Sequence, residues 1–94
     1  MDPDSESSER ALARLLVRAG GGDFEAFDRF IVLSAGVLLA LARGLVEEVD
    51  VEALTASVFV AAWSNIATFD SDQATPHEWL AMIARHLAGV ARPQ

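Results

Sequence analysis

Apolar residues recur three and four positions apart through four stretches of the chain, and turn-forming residues separate those stretches. In the first stretch, Leu12, Leu15 and Leu16 share one helical face. They predict a helix from Glu9 to about Ala19, with Ser8 as its N-cap. Gly20-Gly21-Gly22 ends that helix, and Asp23 is placed to cap the next. The second helix is predicted from Phe24 to about Leu45, with Phe24, Phe27, Ile31, Leu38 and Leu41 along one stripe. Beyond Arg29 its opposite face is apolar as well, through Val32, Leu33, Gly36, Val37, Leu39 and Ala40. A helix that is apolar all round is buried all round. This one is therefore expected either at the centre of a bundle or with one side against another molecule.

Glu47-Glu48-Val49-Asp50 marks a connection, and a third helix follows from about Val51 to Thr68. Leu54, Val58, Phe59, Ala62, Trp63 and Ile66 are its inward face. Ala53, Ala56, Ser57, Val60, Ala61 and Ser64 make an outward face that is small or apolar instead of charged. Residues 69–74 read as a loop. Thr75, Pro76 and Glu78 form a capping box with proline at the first helical position, opening a fourth helix that runs to about Ala91 before Pro93. Trp79, Leu80, Ile83, Leu87 and Val90 are its expected inward face. No stretch alternates with the two-residue period of a strand, so the fold class is all-α.

Composition narrows the function. The chain has 94 residues, 52% of them hydrophobic, a high share for one small domain. Some apolar residues must then stay outside, where contact with a partner is their use. Net charge is −7, and all seven basic residues are arginine. Phosphate neutralisation supplies most nonspecific nucleic-acid affinity, so an acidic chain is expected to bind DNA weakly. Without cysteine there are no disulfides and no thiolate chemistry. Residues 1–8 are acidic and serine-rich, expected to be a disordered tail before a domain at 9–94. No signal peptide is visible, and the apolar run from Phe30 to Ala42 falls short of the about 20 residues a spanning helix needs. A cytoplasmic protein is expected. His77 and His86, nine residues apart, point to opposite sides of a helix and do not chelate one metal together. No nucleophile–base pair or phosphate-cradling loop occurs, so no enzyme activity, cofactor or small-molecule ligand is indicated.

Four blocks stand in order along the chain: Gly22-Asp23-Phe24-Glu25-Ala26-Phe27, Val58-Phe59-Val60-Ala61-Ala62-Trp63, Phe69-Asp70, and Trp79-Leu80-Ala81-Met82-Ile83-Ala84-Arg85-His86. In sequence and spacing they resemble region 2 of bacterial extracytoplasmic-function sigma factors, a resemblance that covers Ala11 to Arg92. It implies a compact four-helix domain that docks on RNA polymerase core and opens the minus-ten promoter element. At the positions of the third helix where the family keeps polar docking residues, this chain has Ala53, Ala56 and Ser57, with Glu52 the one charge beside them. The promoter-facing loop reads Ser71-Asp72-Gln73-Ala74, acidic where the family is basic. Of the basic residues at the fourth helix, Arg85 and Arg92 remain, with His86 in place of the customary asparagine. These three are the DNA-binding candidates.

The expected function is a sigma region-2-like regulatory module that works through protein contact, with weakened polymerase and promoter binding. Self-association, an anti-sigma factor or another regulator would supply that contact. The candidate interface residues are Val32, Gly36 and Leu39 on the second helix, and Glu52, Ala53, Ala56, Ser57, Val60 and Ser64 on the third. The alternatives are a working region 2 that binds polymerase and the minus-ten element, and an unrelated helical interaction module. The second DNA-reading domain of these sigma factors is missing from the sequence. The sequence leaves open whether this is a natural lone domain or a piece of a longer sigma factor, with the non-basic last helix leaning toward the first.

Overall fold

A computed structural model describes residues 8–91 of the chain, with the backbone alone at Val90 and Ala91. The expected acidic tail, Arg92, Pro93 and the inward placement of Val90 lie outside this description. Among the described residues there are four α-helices and no strand. They are α1 (Glu9–Gly20), α2 (Phe24–Arg43), α3 (Val51–Ser64) and α4 (Pro76–Ala91). Single 3-10 turns at Glu48–Asp50 and Ile66–Thr68 flank α3. No helix among these residues is long and apolar enough to cross a membrane.

Local chemistry sets the helix ends. Ser8 Oγ accepts the Ala11 N–H at 3.2 Å, and Asp23 Oδ1 accepts the Ala26 N–H at 3.1 Å. Between α1 and α2 the chain turns through a Schellman arrangement. The Asp23 N–H bonds back to the Arg18 carbonyl at 3.2 Å and the Gly22 N–H to Ala19 at 3.0 Å. This geometry places Gly22 at φ +103°, a conformation open to glycine and strained for other residues. Arg18 then closes the corner by donating to Asp23 Oδ2 at 2.8 Å. At α4 the capping box is complete. The Thr75 N–H bonds Glu78 Oε1 at 2.8 Å, and the Glu78 N–H bonds Thr75 Oγ1 at 3.2 Å.

Two helices stop earlier than their apolar patterns predict. α2 ends at Arg43, not Leu45, because the Gly44 and Leu45 N–H groups turn back to Leu41 and Ala42 in a tight final turn. α3 ends at Ser64 instead of Thr68. Asn65 caps it, its side-chain amide donating to the Ala61 carbonyl at 2.8 Å, and Thr68 Oγ1 donates to the Asn65 carbonyl at 2.7 Å. Such local side-chain bonds compete with continued helix.

Every helix buries a row of residues four apart. The rows are Leu12 and Leu16 on α1, Ala26, Phe30, Ser34, Leu38 and Ala42 on α2, Leu54, Val58 and Ala62 on α3, and Leu80, Ala84 and Ala88 on α4. α2 and α4 each pack against all three other helices, α2 the more extensively. The expected inward stripe of α2 is rotated from this row. Phe27 and Leu38 are buried and Ile31 and Leu41 half-buried, but Phe24 is 67% exposed. On α4 the small residues Ala81, Ala84 and Ala88 go deep while Ile83 and Leu87 stay half-buried. Small residues in the contact rows let the backbones approach closely, and larger neighbours fill the flanks. Ser34 is the one buried polar side chain in the core, and it donates to the Phe30 carbonyl at 2.6 Å, so nothing polar is stranded there.

Truncating the fully buried Phe30 to Ala is expected to cost about 3–5 kcal/mol. Ser34→Ala, which removes donor and burial demand together, should change stability by less than about 1 kcal/mol. Ala84→Leu should destabilise by about 1–3 kcal/mol through overpacking. Chemical denaturation of the three variants checks all of this.

A second expectation concerns acid. Hydrogen bonds from the Ala26 N–H first, and then from Arg18, hold the Asp23 carboxyl below its ordinary value of 3.8. The Thr75 N–H, then the Thr75 hydroxyl, hold Glu78 below its ordinary 4.5. A carboxyl with a depressed folded pKa stabilises fully above its unfolded pKa and loses that contribution as pH falls through the folded value. Thermal midpoints should therefore begin to drop below about pH 4.5. The combined substitutions Asp23→Asn and Glu78→Gln should flatten the drop in melts taken between neutral and acid pH.

Candidate functional site

The rotation of α3 is fixed by Val51, Leu54, Val58 and Ala62, which are buried. The opposite face is thereby turned to solvent, and Glu52, Ala53, Ala56, Ser57, Val60 and Ser64 are all exposed, Val60 to 67%. Glu52 is the only ionisable residue on the whole helix. From Ala53 to Ser64 the exposed strip therefore has methyl, isopropyl and hydroxyl groups and no charge. The outward row of α2 has the same character between Arg29 and Arg43. Val32 is 70% exposed, and Gly36, Val37 and Ala40 follow it. Leu39 differs from the expectation for that row. It is half-buried and packs against the core, because its position lies beside the Leu38 row and not opposite it.

The α4 side is polar but sparse in positive charge. Arg85 and His86 are both exposed, and Arg92 lies outside the described residues. The loop before α4 is organised by Asp70, whose carboxylate accepts the Asp72 N–H at 2.9 Å and whose carbonyl accepts the Gln73 and Ala74 N–H groups. This turn leaves two carboxylates, Asp70 and Asp72, exposed at the surface. The aromatic side chains are engaged inside or against one another. Trp79 is buried and meets Phe69 edge-on with centroids 5.3 Å apart. Half-buried Trp63 packs on Phe27 and Phe24, each at 5.0 Å. Trp79 thus pairs with Phe69 at the edge of the core, and Phe24 covers Trp63 from outside.

The histidines are separated in role. His77 Nδ1 lies 3.1 Å from Glu9 Oε1, and the His77 N–H reaches the same oxygen at 3.3 Å, fastening the start of α4 to the start of α1. His86 is exposed on the same helix. No group of three potential metal-ligating side chains occurs among the described residues.

One feature is visible only in the fold. Along α1, Arg10, Arg14 and Arg18 stand four residues apart beside an open groove of about 580 Å³ that the loop before α4 completes through Ser71, Ala74, Thr75 and Pro76. The three arginines are evident in the sequence. The loop that faces them is more than fifty residues away in the chain, so periodicity does not reveal the groove.

A family model, Sigma-70 region 2, matches residues 32–89, from the middle of α2 into α4. No curated protein and no solved structure matches the chain. The match includes α3 and the loop before α4 and excludes α1 with its arginine row.

Removing the Trp79 ring should cost about 3–5 kcal/mol, enough to unfold much of so small a domain. Trp63→Ala, at a half-buried site, should cost less. Circular dichroism melts of the two variants test the ranking, and a Trp79→Ala protein as stable as the parent would place that ring outside the core.

Proposed function

The chain belongs to the Sigma-70 region 2 family, and on that premise we propose that it regulates transcription through protein–protein contact, with weakened hold on polymerase and promoter. Membership of the family makes the chain a sigma-factor-like transcription regulatory module. The observation that supports action through protein contact is the exposed α3 face, uncharged from Ala53 to Ser64. Docking through charge-assisted hydrogen bonds needs ionised or strongly polar groups, and Glu52 alone is ionised there. The same face has little to desolvate when it is covered by another apolar surface. At about 25 cal/mol per Å², burying a few hundred Å² yields several kcal/mol before the cost of association. Self-association, an anti-sigma factor or another regulator would present such a surface.

On the promoter side, opening DNA by this fold calls for basic residues along the strand and for a loop that captures a flipped base. Arg85 and His86 are the exposed basic candidates described on α4, the Asp70–Asp72 turn before that helix exposes two carboxylates, and Trp79 is occupied in the core. The family match favours a second reading, a region 2 that still binds polymerase core and the minus-ten element.

Two measurements separate them. In fluorescence anisotropy with a single-stranded minus-ten oligonucleotide, weak binding with a shallow salt dependence is expected, as few phosphates are neutralised. Submicromolar binding that collapses on Arg85→Ala establishes the second reading instead. In analytical ultracentrifugation with and without the candidate partner, Val60→Glu should abolish complex formation while circular dichroism shows the fold intact. Val32→Glu makes the same test of the α2 row, and is preferred over a charge at half-buried Leu39.

A further inference from the structure

On a chain of net charge −7, three of the seven arginines are gathered on one face of one helix. Arg18 is engaged with Asp23 at 2.8 Å. Arg10 and Arg14 are exposed and have no ion pair among the described residues. The floor between them is apolar, formed by Ala13, Val17 and Pro76, with Val17 66% exposed. The start of α4 adds no free donors to this groove. Pro76 has no N–H, Thr75 and Glu78 satisfy each other, and the His77 N–H goes to Glu9. Glu9 also lines the groove, but its carboxylate is tied to His77, so what the groove chiefly offers a ligand is the guanidinium groups of Arg10 and Arg14 around apolar surface. It calls for carboxylates around an apolar side chain.

The chain contains that complement at the corner between α2 and α3. Glu47, Glu48, Asp50 and Glu52 are all exposed, and Val49 among them is 83% exposed. Their one ion pair among the described residues, Arg43 with Glu48, is long at 3.9 Å and lies at the surface, so it holds Glu48 weakly. The dimensions agree. Arg10 to Arg18 spans about 12 Å at helical rise, and Glu47 to Glu52 spans about 9 Å through a 3-10 turn and the start of α3. None of the ion pairs in the described structure joins this corner to α1. We infer that the arginine-rimmed groove of α1 receives the Glu47–Glu52 corner of a second copy of this chain, with Val49 against Val17 and the carboxylates on Arg10 and Arg14.

Nucleic acid is the less fitting occupant. Single strands bind on aromatic platforms, and no residue lining the groove is aromatic. Repulsion between two acidic copies does not prevent the contact. At about 0.1 M salt the Debye length is about 10 Å, so net charges at molecular separation are screened while pairs in contact are screened much less. Groove and corner are different patches, so each copy keeps an unused half unless the assembly closes on itself.

The inference is independent of the α3 face, and its test keeps the two apart. Sedimentation of the full chain at high micromolar concentration and about 0.1 M salt should show association that fades toward 1 M salt. Arg10→Glu with Arg14→Glu, and separately Glu47→Arg with Glu48→Arg, should each be folded by circular dichroism and monomeric. Mixed in equal amounts, the two variants should associate again, because one retains the corner and the other the groove. Val60→Glu should leave this association in place. A monomeric parent, a charge-reversed variant that associates like the parent, or a mixture that stays monomeric overturns the inference. So does association abolished by Val60→Glu but not by the charge reversals, which assigns it to α3. Binding of a single-stranded oligonucleotide that is lost with Arg10→Glu and Arg14→Glu, in a parent that sediments as a monomer, gives the groove to nucleic acid.

Discussion

The architecture depends on one row of side chains, Ala26, Phe30, Ser34, Leu38 and Ala42, each four residues from the last along α2 and all buried. A four-residue row forms a ridge inclined to the helix axis, and the other helices bring ridges of the same spacing to the core. Phe30 supplies bulk at the middle of the α2 row, while Ala26, Ala42 and the self-satisfied Ser34 keep the rest low. The fold is therefore held by close backbone approach at small residues, by the buried leucines of the same rows, and by the rings of Phe27, Phe30 and Trp79. Dispersion between closely packed atoms, summed over many contacts, adds to the burial of these larger side chains.

That way of packing has a consequence for the surface. When alanine takes the inner positions, larger apolar residues are displaced to the flanks and beyond them. Val32, Val60 and Val49 stand exposed although the chain has ample apolar content for its size. The uncharged faces of α2 and α3 and the packing of the core are thus two aspects of one distribution. In a domain this small the surplus cannot be hidden by rotation of any one helix, since turning α3 to cover Val60 would expose Val58. Contact with another molecule is the remaining way to bury it.

How much of this could be read from residues alone follows the same physics. Caps were legible because their chemistry is local: Ser8, Asp23, Thr75 and Glu78 each bond a backbone group three residues away. The outward face of α3 was legible because Leu54 and Val58 are unambiguous anchors. The inner face of α4 was less so, because hydrophobicity points to Ile83 and Leu87 while close approach selects Ala84 and Ala88. On α2, an apolar residue at almost every position leaves its rotation undetermined. The pattern therefore points Phe24 inward, whereas the structure buries Phe30 and sets Phe24 over Trp63. The end of α3 was hidden by the apolar character of Ile66, which outweighs the capping habit of Asn65 in a periodicity reading. The arginine groove depends on the Glu9–His77 fastening that brings α1 to the loop before α4, and no local pattern encodes such a meeting.

The placement of charge ties these features together. α3 has one ionisable residue and the middle of α2 none, so the faces suited to apolar contact are also the ones with the least to desolvate. Charged groups are concentrated elsewhere, positive along α1 and negative at the α2–α3 corner and the Asp70–Asp72 turn. Desolvating a charge without a partner costs far more than covering a methyl group. A partner approaching α3 or α2 therefore meets a surface that accepts many apolar shapes. One approaching α1 or the acidic corner meets a surface that accepts only the opposite charge. Broad tolerance and strict selection are thus built into different patches of one small domain, and a complex that uses both can be tight through the first and specific through the second.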